Sequence, residues 1–179
     1  MKLAGIKHHF KKTGNLILFL LVVSISIKAQ DVTKTTKFPQ QVGDITFDPK
    51  TDRANFELCG NGFINQYYGL KTTYQGGTKA IKKHLTSNYK YKTAYKNITG
   101  YVTIRFVVNC KGQTDRFRVF QLDENYQKVK YDISFISHLT ALCKSLNKWI
   151  PGKYNNQVYD TYYYLNLKMV KGQIKEITP

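Results

Sequence analysis

The chain has 179 residues, with 28 Lys and Arg against 11 Asp and Glu and a formal net charge of +17. That excess attracts anionic surfaces such as lipid head groups, acidic polysaccharide, nucleic acid or an acidic protein patch, and an export signal at the start sets nucleic acid aside. About 150 residues follow the signal, which suits one domain with its own core.

Lys2, Lys7, Lys11 and Lys12 precede an apolar run from Leu16 to Ile27, and Ile27-Lys28-Ala29 offers a small residue at an exit. A basic head, an apolar centre and a small-residue exit make a secretory signal peptide. About 12 residues of helix are roughly 18 Å long, short of the ~30 Å a bilayer core requires. Cleavage is expected near Ala29–Gln30, leaving 23 of the 28 basic residues and all 11 acids, a formal charge near +12.

Residues 30–55 are polar, broken by Pro39 and Pro49, and read as a loose arm or an edge strand. Residues 56–75 mix aromatics with Gly60, Gly62 and Gly69 and read as loop and short irregular pieces. A first helix opens at Gly76-Gly77-Thr78, with Thr78 as its cap, and runs to Asn88 with Ala80, Ile81, His84, Leu85 and Asn88 on one face. A basic, tyrosine-rich connection follows.

Residues 100–113, GYVTIRFVVNCKGQ, alternate with a period of two. Val102, Ile104, Phe106 and Val108 share one face, and Tyr101, Thr103, Arg105 and Val107 the other. Asn109-Cys110-Lys111-Gly112 supplies the turn of a hairpin whose second strand ends near Leu122. Asp132 is placed to cap a second helix running to about Lys148, with Phe135, Ile136, Leu139, Leu142, Cys143 and Leu146 as its apolar stripe. Pro151 stops it. Residues 157–169 form a third strand, with Tyr163, Leu165, Leu167 and Met169 on one face and Tyr162, Tyr164, Asn166 and Lys168 on the other. Lys171-Gly172 turns the chain into a short final strand at 174–177. The order predicts an α+β fold: a small antiparallel sheet of three to four strands packed by two helices.

Cys59, Cys110 and Cys143 allow three single pairings. Export favours one disulfide, and the Gly-flanked settings of Cys59 and Cys110 favour that pair, while Cys143 sits on a helical apolar stripe as a small hydrophobe. His84 and His138 are lone helical histidines. Asp123 and Glu124 are adjacent and point apart on a strand. No Cys/His cluster has zinc spacing, and no phosphate-cradling Gly loop or nucleophile elbow is present. Catalysis, metals and cofactors are therefore not expected. The tyrosines cluster at 67–74, 89–101 and 154–164 with lysines between them. They either fill a thin core or form a basic docking face. The docking reading names Tyr89, Tyr91, Arg105, Tyr162, Tyr164 and Lys168.

Several motifs in order carry a family resemblance. These are Gly76-Gly77 before a helix, the alternating strand Gly100, Val102, Ile104, Phe106, Val108 with Gly112, the second strand Arg116–Phe120, Ala141-Leu142 leading to Trp149-Ile150-Pro151-Gly152, and the Asn155-Asn156-Gln157 turn. Over about residues 74–170 the chain resembles the C-terminal domain of the TonB family. The resemblance implies a domain over 74–179, preceded by a signal peptide over 1–29 and an arm over 30–73. The family's transducers carry an uncleaved anchor and a Pro-rich spacer, and this chain has only four prolines. The implied role is the recognition module without the transducer. It is an envelope protein-interaction domain whose sheet edge near Tyr162–Lys168 accepts an extended segment of an envelope protein, an outer-membrane protein among the candidates, or a second copy of itself. The alternative is a basic binder of acidic glycans or lipid head groups, with salt-sensitive binding.

Overall fold

The structure, a computed structural model, describes residues 43–60 and 62–179. The expected signal peptide and the first part of the arm lie outside the described residues. In chain order the elements are β1 (Asn65–Gln66), α1 (Tyr67–Leu70), β2 (Thr73–Tyr74), α2 (Gly77–Asn88), β3 (Gly100–Val108), β4 (Thr114–Asp123), α3 (Ile133–Lys144), β5 (Trp149–Ile150), β6 (Gly152–Tyr154), β7 (Gln157–Tyr159), β8 (Thr161–Val170) and β9 (Gln173–Thr178).

The fold is α+β. Its main sheet has five strands in the order β1-β8-β3-β4, with β9 also on β8. The β3–β4, β3–β8 and β8–β9 pairs are antiparallel, whereas the short β1–β8 pair is parallel, so the sheet is mixed rather than purely antiparallel. Alternation does the sorting. Val102, Ile104 and Phe106 sit opposite Leu167, Leu165 and Tyr163 on β8. All these side chains join one core cluster with Ile81 and Leu85 of α2 and Phe135, Leu139 and Cys143 of α3. Phe106, Trp149 and Tyr163 meet ring to ring at centroid distances of 5.3, 5.9 and 4.6 Å. Burial pushes the Cys143 thiol up to about 12, which keeps it an unreactive hydrophobe.

Local signals explain most boundaries. Asp132 accepts from the N–H groups of Ser134 and Phe135, capping α3 as its position predicts. Thr78 does not cap α2. Gly76 takes that place with φ +81, and no side chain serves as the cap. Only a residue free of Cβ strain turns there readily. The second helix stops at Lys144 rather than near Lys148. Leu146 is fully buried, and Trp149–Ile150 leave the helix to pair with Tyr74 and Thr73. The expected strand 157–169 breaks at Asp160. Its first part pairs with β6 through the Asn155-Asn156 turn, whose φ values are +46 and +64, and the rest enters the main sheet.

The β8–β9 turn is fixed by packing. Gly172 has φ +73, and its N–H donates to the Ile98 carbonyl at 2.7 Å. The Tyr89 hydroxyl donates to its carbonyl. A Cβ on Gly172 would lie 2.4 Å from the Tyr95 carbonyl oxygen. Gly172→Ala should therefore destabilise the domain by about 2–3 kcal/mol, from strain and displacement together. Denaturant unfolding measures this, and an unchanged midpoint would contradict the packing.

Candidate functional site

The second face of the sheet is where polar and charged side chains gather. Alternation sends Arg105 and Val107 of β3, Arg118 of β4 and Tyr162 and Tyr164 of β8 to this side. Register sets Arg105 opposite both Arg118 and Tyr164. Like charges directly opposite on a sheet repel, so each guanidinium needs a partner of its own. Residues 43–60 supply those partners as a strap laid across the face.

The strap is tied along its length. Arg105, 3% exposed, stacks over the Tyr162 ring at 4.2 Å and donates to the Gly43 carbonyl at 2.5 Å. The Tyr162 hydroxyl donates to Asp44 Oδ1 at 3.0 Å and accepts from the Ile45 N–H at 3.1 Å. Ile45, Ile64, Val107 and Tyr162 form a second small core, joined by Phe56 and Leu58. Arg118 grips Asp52 with both fork nitrogens, Nη1–Oδ1 at 2.8 Å and Nη2–Oδ2 at 2.7 Å, and Nη2 also donates to the Thr46 carbonyl at 2.6 Å. The Arg53 N–H donates to Asp115 at 2.8 Å. The Asn109 amide donates to the Glu57 carbonyl at 2.9 Å.

Burial alone would raise the Asp52 carboxyl. Hydrogen bonds from Arg118 and the Asp48 backbone, with the Arg118 charge, outweigh it and hold Asp52 below the usual carboxylate range. Burial lowers Arg105, opposed by Tyr162 and Asp44. Burial is also the main reason the Tyr162 phenol is raised.

The strap ends in a covalent clip. Cys59 and Cys110 are joined, with Cα atoms 5.9 Å apart. The pivot residue Asp160, 2% exposed, lies beneath. Its Oδ2 accepts the Cys59 N–H at 2.7 Å and its Oδ1 the Cys110 N–H at 2.9 Å. Its carbonyl accepts the Asn65 N–H at 3.0 Å. Cys59, Cys110 and Asp160 place metal-ligating atoms within 4.8 Å of one another. In this state the sulfurs are bonded to each other and both carboxylate oxygens are engaged. Metal binding needs free thiolates, so the residues fit a structural clip rather than an ion.

The six residues expected to form one docking face separate onto two sides. Tyr89 packs against the helix-side core and meets His138 ring to ring at 5.2 Å, and burial pushes its phenol up to about 12. Tyr91 nearby is exposed. Arg105, Tyr162, Tyr164 and Lys168 belong to the opposite face, where Arg105 and Tyr162 are buried under the strap. The edge expected at Tyr162–Lys168 is closed. On one side β8 pairs with β3 along Thr161–Met169. On the other it pairs with β1 at Thr161–Tyr162 and β9 at Asn166–Val170. Tyr67 packs on Tyr163 and Tyr164 between them, at 4.6 and 5.5 Å.

The lone histidines have structural contacts. His84 Nε2 lies 2.8 Å from the Ser145 hydroxyl, and His138 Nε2 accepts the Lys90 N–H at 3.2 Å. Burial, then Lys92 and Lys90, lowers the His138 pKa, in keeping with a neutral ring that accepts. Sequence reasoning missed Asp52, Asp115, Asn109 and Asp160, buried polar residues that hold strap and clip together with Arg105. Two arginines on one face of a hairpin, Arg105 and Arg118, were the available signal that acidic partners must come from elsewhere.

Comparison with protein-family models, curated proteins and solved structures finds no match. Among the described residues no helix is long and apolar enough to cross a membrane.

Proposed function

We propose that this chain is an exported cell-envelope protein-interaction module with a TonB-C-terminal-like fold, taking an extended partner segment by strand addition. The observation that carries this reading is β9. It has six residues, Gln173–Thr178, and among the described residues its only strand partner is β8. The flank named by the sequence is taken by β1 and β9, so the proposed place for an added segment is the outer edge at Gln173–Thr178. An unpaired strand edge presents a row of backbone donors and acceptors to an incoming chain. Lys175 and Glu176 on this edge are exposed, which discourages indiscriminate pairing. The disulfide supports export, since such bonds persist in oxidising compartments.

A photo-crosslinking side chain at Lys175, compared with one at Lys82 on α2, tests this in the native envelope. The expected result is a discrete adduct with an envelope protein from position 175, absent from position 82 and lost when proline is scanned through 173–178 in variants that still fold. Equal adducts from both positions, or adducts indifferent to those prolines, would mean that this edge takes no partner strand. An adduct lost steeply with salt would favour attraction to an acidic glycan or lipid surface.

A further inference from the structure

A second site lies at the far end of β8 from the β9 turn, and it stands or falls independently of the strand-addition reading. The clip holds the Cys59–Gly60 corner against the β7–β8 junction, and between them opens a cleft of about 730 Å³. This is within the roughly 300–1,000 Å³ of small-molecule sites. Phe63 stands at its mouth, 73% exposed, with Val158 42% exposed. Asn65, Asn156 and Gln157 line it as well.

Most polar side chains here are amides, and the hydroxyl of Tyr159, which also lines the cleft, donates to Gln157. The charged residue in the wall, Asp160, has both oxygens occupied by the N–H groups of Cys59 and Cys110. The side-chain amides of Asn65 and Asn156 have no hydrogen-bond partner among the described residues, and Gln157 uses only its oxygen, accepting from the Tyr159 hydroxyl at 2.9 Å. An amide pairs two donors with a carbonyl acceptor on one planar group. That arrangement matches a hydroxyl pair, each member of which donates and accepts. An exposed aromatic ring beside such amides offers a flat apolar surface to the C–H face of a ring ligand. A lysine-lined site would select an acid, and an all-apolar one a hydrocarbon. This cleft has neither character. We infer that the cleft between Phe63 and the Asn156–Gln157 wall binds a neutral saccharide ring, with Phe63 as the stacking platform and the three amides reading its hydroxyls.

The probes are cellotriose and tri-N-acetylchitotriose, titrated into the disulfide-bonded protein while Asn and Gln side-chain amide signals and the Phe63 ring are followed by NMR. At least one probe should shift the signals of Phe63, Asn65, Asn156 and Gln157, saturating in the range of about 1 mM. Affinity should be indifferent to high salt. Phe63→Ala should weaken binding about tenfold, as loss of a central aromatic contact does, without altering the melting temperature. Gly60→Leu is the second variant. Gly60 lines the cleft and a Cβ there would meet nothing within 4 Å, so the leucine is accommodated without displacing the fold and should weaken binding by taking up space at the cleft wall. Absence of shifts with both sugars, shifts confined to other surfaces, salt-sensitive binding, or unchanged affinity in both variants would overturn the inference.

Discussion

Replacing Cys59 and Cys110 by serine will lower stability by about 4 kcal/mol, the chain-entropy value for a closed loop of the observed size. The two cysteines are 51 residues apart in sequence, so the bond restrains the unfolded chain from the end of the strap through β1, α1, β2, α2 and β3. Domains of this size hold about 5–15 kcal/mol in all, so the variant keeps little margin and should melt about 10 °C lower. The location of the loss matters as much as its size. Without the covalent link, the Cys59 and Cys110 N–H bonds to Asp160 lose their common anchor, and the strap end should open before the sheet does. Proteolysis under reducing conditions should therefore cut first around residues 56–63. A domain whose melting and cleavage pattern ignored reductant would show that the strap is held without the clip.

The second large effect is at Arg118 and Asp52. Their side chains are 12% and 1% exposed, and they meet in a two-pronged fork. Removing one member of a buried pair leaves the other charge desolvated and alone, a loss of about 3–5 kcal/mol. Asp52→Asn and Arg118→Leu should each reach that range. The double variant Asp52→Leu with Arg118→Leu should lose less than the two singles combined, because no charge is stranded.

The same pair sets an acid limb. The folded-state carboxyl of Asp52 is held below its ordinary value. Its contribution is then fully present above the unfolded pKa of about 4 and disappears as pH falls through the lower folded value. Stability measured between about pH 5 and pH 2 should fall in the parent and flatten in Asp52→Asn.

The parts of the fold legible in the sequence are those written in short-range pattern. Period-two alternation fixed which residues of 100–108 and 161–169 face the helices. Asp132 announced its helix, and Asn155-Asn156 and Lys171-Gly172 announced tight turns, since their backbones carry positive φ. The strap was illegible because its bonds join distant partners. Asp52 and Arg118 are 66 residues apart, Cys59 and Asp160 101, and Asp44 and Tyr162 118. Residues 43–60 contain no strand or helix to give them a period, and polar loops with breakers look alike whether tied down or loose. The tyrosines misled for a related reason. A ring with a polar tip suits a docking face or a thin core equally. Only the strap's presence tells that Tyr162 is an interior hydroxyl while Tyr91 remains in solvent. The open edge was misplaced by one strand, because the run after Gly172 is short and its pairing with β8 depends on a turn seated beneath Tyr95.

Native-state amide hydrogen exchange at Ile45, Arg53, Cys59 and Cys110 tests the strapped sheet most directly. These N–H groups donate to the Tyr162 hydroxyl, Asp115 and the two oxygens of Asp160. All four are expected to exchange as slowly as amides within β3, opening only with the whole domain. Exchange of Ile45 and Arg53 at the rate of an unstructured chain, beside slow exchange in β3, would mean that residues 43–60 do not cover the sheet.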